Sequence, residues 1–261
     1  MSKIWGLETV ALSPVFFNAL RLHYALEALK NTHGRVLEIG CGGGAFTQAL
    51  KKYRPDLTVV GSDIDRKVLQ LARLHDKQGE YVYADAQVLP FANSSYAAVV
   101  AFDVIEHLPH PERAFKEIRR VLKNNGIFHG SIPLEASLWT IHGWAKTIGF
   151  IPKRIYADHS QQFTHSSIVH QMNQSGLKYQ KCAYSGHFLE QLLDFVYFTL
   201  LVVLRRSTSH TVEGYIQLLR PGLKRRLFTL VRSVVSVMIY SESIFLWWLP
   251  GQIGHFDAQK L

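Results

Sequence analysis

The chain has 261 residues, long enough to bury a full core and to form one domain with an insertion. Its net charge is +9, yet only 19% of its residues are charged, which excludes a polyelectrolyte or disordered tail. Two cysteines, Cys41 and Cys182, exclude a disulfide framework or a zinc cluster and read as small apolar fillers of a protein in a reducing, cytoplasmic compartment.

Taken in chain order, residues 1–8 lack the basic and then apolar pattern of a secretory signal. Ser13-Pro14 reads as an N-cap followed by proline at the first helical position, opening a helix to about Lys30 with Phe16, Leu20 and Tyr24 on one face. Strands are expected near 35–39, 57–62, 80–84, 97–102 and 126–132, with helices near 44–53, 65–76 and 111–122. Asp65 stands where it would cap the helix that follows it. Strands alternating with helices of this length indicate an α/β protein with a doubly wound parallel sheet, punctuated by Gly34, Pro55 and Gly126. After Pro133 the pattern loosens. Residues 134–160, with Trp139, His142 and Trp144, are expected to cover the site. Thr164 would cap a helix ending at Ser175 before Gly176, and Leu177–Tyr184 is a sixth strand.

The richest stretch is Val36-Leu37-Glu38-Ile39-Gly40-Cys41-Gly42-Gly43-Gly44, an apolar strand running into a glycine turn. Twenty-three residues after Gly40, the next apolar run ends at Asp63. Glycines let the backbone turn sharply and let a ligand approach a helix N-terminus, while an acid at the next strand end accepts from ribose hydroxyls. A dinucleotide site needs Gly-x-Gly-x-x-Gly for its pyrophosphate. Glu38, two residues before the first glycine, would repel a diphosphate and suits a ligand carrying an ammonium and a sulfonium.

This pattern resembles motif I of the class I S-adenosylmethionine-dependent methyltransferases. Val59–Asp65, Tyr83–Phe91, Val104–Leu108 and Val121–Gly126 are similar to that family's later segments, so the resemblance covers roughly 35–132. It implies a seven-stranded, mostly parallel, Rossmann-like sheet of order 3-2-1-4-5-7-6. Ile253–Lys260 would be its antiparallel last strand, and the N-terminal helix would lid the cofactor. The implied domains are an N-terminal lid (1–34), a cofactor-binding core (35–185), a helical insertion (186–250) and the closing strand (251–261). The implied cofactor is S-adenosyl-L-methionine. Glu38, Gly40, Cys41, Gly42 and Gly44 would surround its methionine portion, with Glu38 and the Phe102 carbonyl on the ammonium. Asp63 would hold the ribose, Ile64 would cover the adenine, and Asp85 with the Ala86 backbone would read its amino group. One departure is Tyr96-Ala97, where the family usually has an aromatic followed by Asp.

Asp103-Val104-Ile105-Glu106-His107 resembles a Glu-x-x-Glu-His segment that holds a divalent metal in small-RNA 2′-O-methyltransferases and ubiquinone-pathway O-methyltransferases. His159, in Asp158–Thr164, resembles the later histidine of the RNA enzymes. Three readings stand: a metal held by Asp103, Glu106, His107 and His159; His107 or His159 as a general base with Glu106 beside it; or substrate positioning alone. His110, His129, His142, His165 and His170 lack such a context and are expected at the surface or on helix flanks.

The insertion has a composition of its own. Phe188–Leu204 is apolar except for Glu190, Gln191, Asp194 and Thr199; Leu227–Leu249 carries Thr229, Arg232, Ser233, Ser236, Tyr240 and Ser243 on one face. Between Arg205 and Arg232 there are seven Lys/Arg against Glu213 alone. Basic residues beside amphipathic helices suit an anionic membrane surface, with helix packing or an oligomer interface as the alternative. Neither segment has the uniform apolarity of a membrane span. No nucleic-acid module is present, since the basic residues sit beside apolar helices rather than a row of aromatics. The expected function is methyl transfer to oxygen of a hydrophobic or membrane-borne acceptor (a quinone precursor, a lipid or a lipid-linked sugar), in the cytoplasm or peripheral at its membrane. The rival reading is a non-catalytic S-adenosylmethionine-binding module at a membrane surface.

Overall fold

A computed structural model describes residues 10–151, 153, 157–203 and 222–261. The stretch 1–8 and the residues Leu204, Arg205, Arg206, Glu213 and Arg220, which entered the reading of the sequence, lie outside the described residues.

The chain runs α1 (Ala19–Ala28), β1 (Gly34–Ile39), α2 (Ala45–Tyr53), β2 (Leu57–Asp63), α3 (Arg66–His75), β3 (Glu80–Tyr83) and β4 (Tyr96–Phe102). It continues through α4 (Pro111–Val121), β5 (Leu122–Pro133), α5 (Ile141–Thr147), α6 (His165–Gln174) and β6 (Leu177–Ser185). Two long helices, α7 (Phe188–Val203) and α8 (Leu223–Phe245), precede β7 (Ile253–Lys260). The sheet has seven strands in the order β3-β2-β1-β4-β5-β7-β6. β7 is antiparallel to both neighbours and the other pairings are parallel. The fold is therefore the doubly wound methyltransferase sheet expected, closed by a C-terminal strand that follows the two long helices.

Local signals account for most of these elements. β1 and β4 are buried on both faces and so read as unbroken apolar runs, Val36-Leu37 and Ala98–Phe102. On one face α4 and α6 pack Phe115, Ile118, Ile168 and Met172 against the sheet; on the other, α1 and α2 bring Leu22, Ala25 and Leu50. Asp65 caps α3 by accepting from Lys67 N–H at 2.7 Å, and Thr164 forms a capping box with Ser167 on α6.

Two boundaries differ from expectation. The first helix begins at Ala19, not at Pro14. Ser13 C=O accepts from Phe16 N–H at 3.0 Å, so Pro14 takes the second position of a tight turn, which its fixed φ suits equally well. β5 begins at Leu122, paired with Tyr96, before Asn125 (φ +62°) and a register shift bring Ile127 opposite Ala98.

Candidate active site

The glycine turn after β1 is built from left-handed backbone: φ is +69° at Gly40, +52° at Gly42 and +84° at Gly44. A Cβ at Gly40 would strike Val104. Asp63, at the end of β2, fastens the turn: one carboxylate oxygen accepts from Gly42 N–H at 2.8 Å and the other from Asp65 N–H at 2.9 Å. Glu38 lies on β1, 2% exposed, and accepts from the Thr47 hydroxyl. Burial pushes its carboxyl up to about 8 against that hydrogen bond, and nearby Asp63 adds to the rise. Asp63 is raised too, mainly by burial. Asp85 follows β3 and accepts from Gln87 N–H at 2.8 Å.

Glu38, Gly40, Cys41, Gly42, Asp63, Ile64, Asp85, Ala86 and Phe102 line one cavity of about 760 Å³ at the carboxyl ends of β1 to β4. Ile64 is 59% exposed at its mouth, and Asn18, just before α1, and Arg21 of α1 border it. Gly44 does not line the cavity, contrary to its expected place among the cofactor contacts. It starts α2, and a Cβ there would meet the Tyr81 hydroxyl at 2.6 Å. Buried Glu38 and half-buried Asp63 put two acids in the same lining, which disfavours a diphosphate and suits a cationic ligand.

The far half of the cavity starts at Asp103, which leaves β4 with a left-handed φ of +52°. Asp103 was expected among possible metal donors, but its carboxylate faces Arg21 at 2.8 and 3.3 Å and is taken up by that pair. Glu106, in the short helical turn Ile105–His107, points inward, 1% exposed, and neither of its oxygens has a hydrogen-bond partner. Burial, then Asp103 and Glu135, raise its carboxyl well above the usual range. His107 donates from Nδ1 to the Asp158 carbonyl at 3.0 Å and is held below its usual value by burial and by neighbouring His159.

His159 is buried, and its Nδ1 lies 2.8 Å from a Glu135 oxygen. Burial alone would raise Glu135, yet Lys153 and His159 hold it low and ionised, so it accepts from Nδ1–H and leaves His159 Nε2 as the basic nitrogen. The two imidazole rings are 4.9 Å apart, and ligand atoms of Glu106, His107 and His159 all lie within 4.8 Å of one another. These three could hold a divalent cation, each imidazole being oriented through Nδ1 as metal-bound histidines usually are.

Several residues that no spacing rule singled out complete this half. Lys153 is buried 3.3 Å from Glu135 and 2.5 Å from Asp194 of α7. Asp194 also accepts from Gln252 Nε2 at 2.7 Å and lies 3.0 Å from His142 Nε2. Glu190, Asp194 and Phe198, four residues apart on α7, line the cavity. The polar interruptions of an otherwise apolar segment were the only sequence signal for that inward face. His129 and His142 are buried rather than at the surface, because Asp257 (2.7 Å) and Asp194 (3.0 Å) each pair with one of their ring nitrogens.

Residues 37–129 match a family model described as a methyltransferase domain. A ubiquinone biosynthesis O-methyltransferase of Aliivibrio fischeri (strain MJ11) is 29% identical over 186 residues, covering 68% of this chain and 78% of that protein. The methyltransferase solved with the Haloferax volcanii Trm112 activator superposes with a TM-score of 0.56 at 15% identity, over 94% of this chain and 92% of its own. Haemonchus contortus phosphoethanolamine N-methyltransferase 2, solved with S-adenosyl-L-methionine, gives 0.53 at 17% identity, over 91% and 52%. At those identities the two structures bear on the fold alone.

Proposed function

We propose that this chain, a member of the class I S-adenosylmethionine-dependent methyltransferases, methylates a hydroxyl oxygen on a hydrophobic acceptor of the quinone-precursor, lipid or lipid-linked-sugar kind. In this reading Glu38 takes the donor's ammonium together with the Phe102 carbonyl, and the glycine turn makes room for the methionine portion. Asp63 takes the ribose hydroxyls, and Asp85 and Ala86 read adenine beside Ile64. The bound donor supplies an activated methyl, which the acceptor oxygen takes in line as the electron pair of the broken bond returns to sulfur. His159 Nε2 accepts the hydroxyl proton, and Glu135, bonded to Nδ1, steadies the imidazolium that forms. Glu106 and His107 shape the same corner.

The observation that supports this reading is the Glu135–His159 pair, a buried imidazole in the cavity lining whose Nδ1 is held by a carboxylate, the arrangement a general base would need. Oxygen as the acceptor atom agrees with the relatives named for O-methylation. The apolar character assigned to the acceptor rests on Leu108, Pro109, Phe198 and Ile253 among the residues that line the cavity. We place the enzyme in the cytoplasm, peripheral at the membrane. A divalent cation at this corner would be held by Glu106, His107 and His159 and would acidify the acceptor hydroxyl.

The test is transfer of labelled methyl from S-adenosylmethionine to hydroxylated quinone precursors and a lipid extract, with and without chelator. Organic-extractable label that survives chelator and falls roughly 10²- to 10⁴-fold in His159→Ala is expected for a general base. Label confined to water-soluble metabolites would refute the hydrophobic acceptor. Loss of label in chelator would transfer the role to the metal.

A further inference from the structure

The helix α8 is amphipathic in the inverted sense. Its face toward the protein buries Ser236, Ile239 and Ser243, while Leu223, Leu227, Leu230, Val234, Phe245 and, just beyond its end, Trp248 are all exposed. Leu230 is 61% exposed and Trp248 62%. Spaced three, four or eleven residues apart, these positions share one side of the helix. A surface helix that met only water would present the serines outward and bury the leucines. The neighbouring α7 repeats the arrangement: Glu190, Asp194 and Phe198 line the cavity, and Leu192, Val196, Leu200 and Val203 face out. The two helices are joined where Glu242 of α8 accepts from Phe188 N–H at 3.1 Å and Leu189 N–H at 3.2 Å. Large side chains left in water in this number mark a contact surface.

Charge selects the occupant. Lys224 and Arg226 are exposed at the start of α8, among Leu223, Leu227 and Phe228. The one acid of α8, Glu242, accepts from the Phe188 and Leu189 amides of α7, at the far end of the helix from Lys224 and Arg226. Two copies of a +9 chain would bring like charges toward each other, whereas an anionic lipid surface attracts them. By length and composition α8 could cross a membrane, but Ser236, Ile239 and Ser243 are packed against the protein, which favours a helix lying on the surface over one passing through it. The remaining geometry is a helix lying in the plane of a membrane interface, apolar side chains down, with the Trp247-Trp248 pair at one end and basic residues at the other.

We infer that the outer faces of α7 and α8 dock on an anionic lipid bilayer, which sets the wall of the methyl-acceptor cavity at headgroup level. The link to the acceptor rests on the function proposed above; the docking itself does not. An acceptor held in the bilayer then reaches the Glu106–His107–His159 corner past α7 without crossing water.

Flotation of the full chain, loaded with S-adenosylhomocysteine, on phosphatidylcholine vesicles with and without phosphatidylglycerol tests this. Binding should require the anionic lipid. Lys224→Gln with Arg226→Gln should weaken it about fivefold per residue. Leu230→Glu with Val234→Glu should abolish it while melting temperature and S-adenosylhomocysteine affinity stay unchanged, because both side chains are exposed and remote from the cavity. Absent binding to either vesicle would overturn the inference, as would equal binding to both or a dimer in light scattering that Leu230→Glu dissolves. Since no acceptor is needed for flotation, a failure of the acceptor assignment would leave this result standing, and the reverse also holds.

Discussion

Replacing Glu38 by glutamine should make the empty protein more stable and its complex with S-adenosylhomocysteine weaker. Glu38 titrates near 4.5 when free and is pushed up to about 8 in the fold, by burial first, against the hydrogen bond from Thr47 and with Asp63 adding to it. The folded state therefore holds the proton more tightly than the unfolded chain. Stability from this group is intact below about 4.5 and is lost as pH climbs toward 8. At about 1.4 kcal/mol per pH unit, the loss accumulated by pH 7 is about 3 kcal/mol. Glutamine has the shape of the protonated acid, keeps an acceptor for Thr47, and carries none of this penalty. For a chain of this size, about 2–4 °C per kcal/mol puts the melting temperature of unliganded Glu38→Gln roughly 6–12 °C above wild type at pH 7. The gap should close as the pH falls toward 4.5. The ligand's ammonium, however, needs the ionised carboxylate. Losing one charge-assisted hydrogen bond of about 1.5–3 kcal/mol weakens S-adenosylhomocysteine roughly 10- to 150-fold in calorimetry. Wild-type affinity should also rise as pH approaches 8, and that rise should vanish in the variant. An unliganded Glu38→Gln protein no more stable than wild type at pH 7, with unchanged affinity, would refute the reasoning.

Asp63→Asn keeps an acceptor for only one of the two backbone N–H groups that Asp63 now holds, Gly42 and Asp65. It should cost about 1–3 kcal/mol of stability in chemical denaturation and weaken S-adenosylhomocysteine at least tenfold by calorimetry. Glu135→Gln should lower kcat, by less than His159→Ala does, with the KM for the methyl donor unchanged, because Glu135 positions His159 and does not line the cavity; a rise in donor KM of the same size would assign it to cofactor binding instead. Gly44→Ala meets both a φ of +84° and the Tyr81 hydroxyl, so it should lose about 1–3 kcal/mol of stability in thermal melts while the folded fraction keeps full ligand affinity. Lost affinity without lost stability would return Gly44 to the cofactor site.

Those parts of the molecule governed by short-range rules were legible in the sequence. β1 and β4 are covered on both faces, so Val36-Leu37 and Ala98–Phe102 are apolar runs, broken on β1 by the buried Glu38; Asp65 and Thr164 cap helices through side chains two and three residues from their partners; Asp63 stands at a strand end fixed by the length of one βαβ unit. Where a local signal has two physical outcomes, sequence alone could not choose. Ser13-Pro14 suits a helix start and a tight turn equally, and the inward side of α8 was readable as a polar stripe but not as a buried one. The far half of the cavity was least legible, because its charges are matched across the chain rather than along it. Arg21 of α1 meets Asp103 after β4, and Lys153 joins Glu135 after β5 to Asp194 of α7. Each of these residues would be costly to bury alone and tolerable only with its partner, so none could be placed before its partner was known. His129 and His142 follow the same logic through Asp257 and Asp194. Glu106 lies outside it: both carboxylate oxygens are buried without a hydrogen-bond partner, and His107 Nε2 stands 4.0 Å from one of them, so a pairing across the chain does not account for its burial as it does for the others.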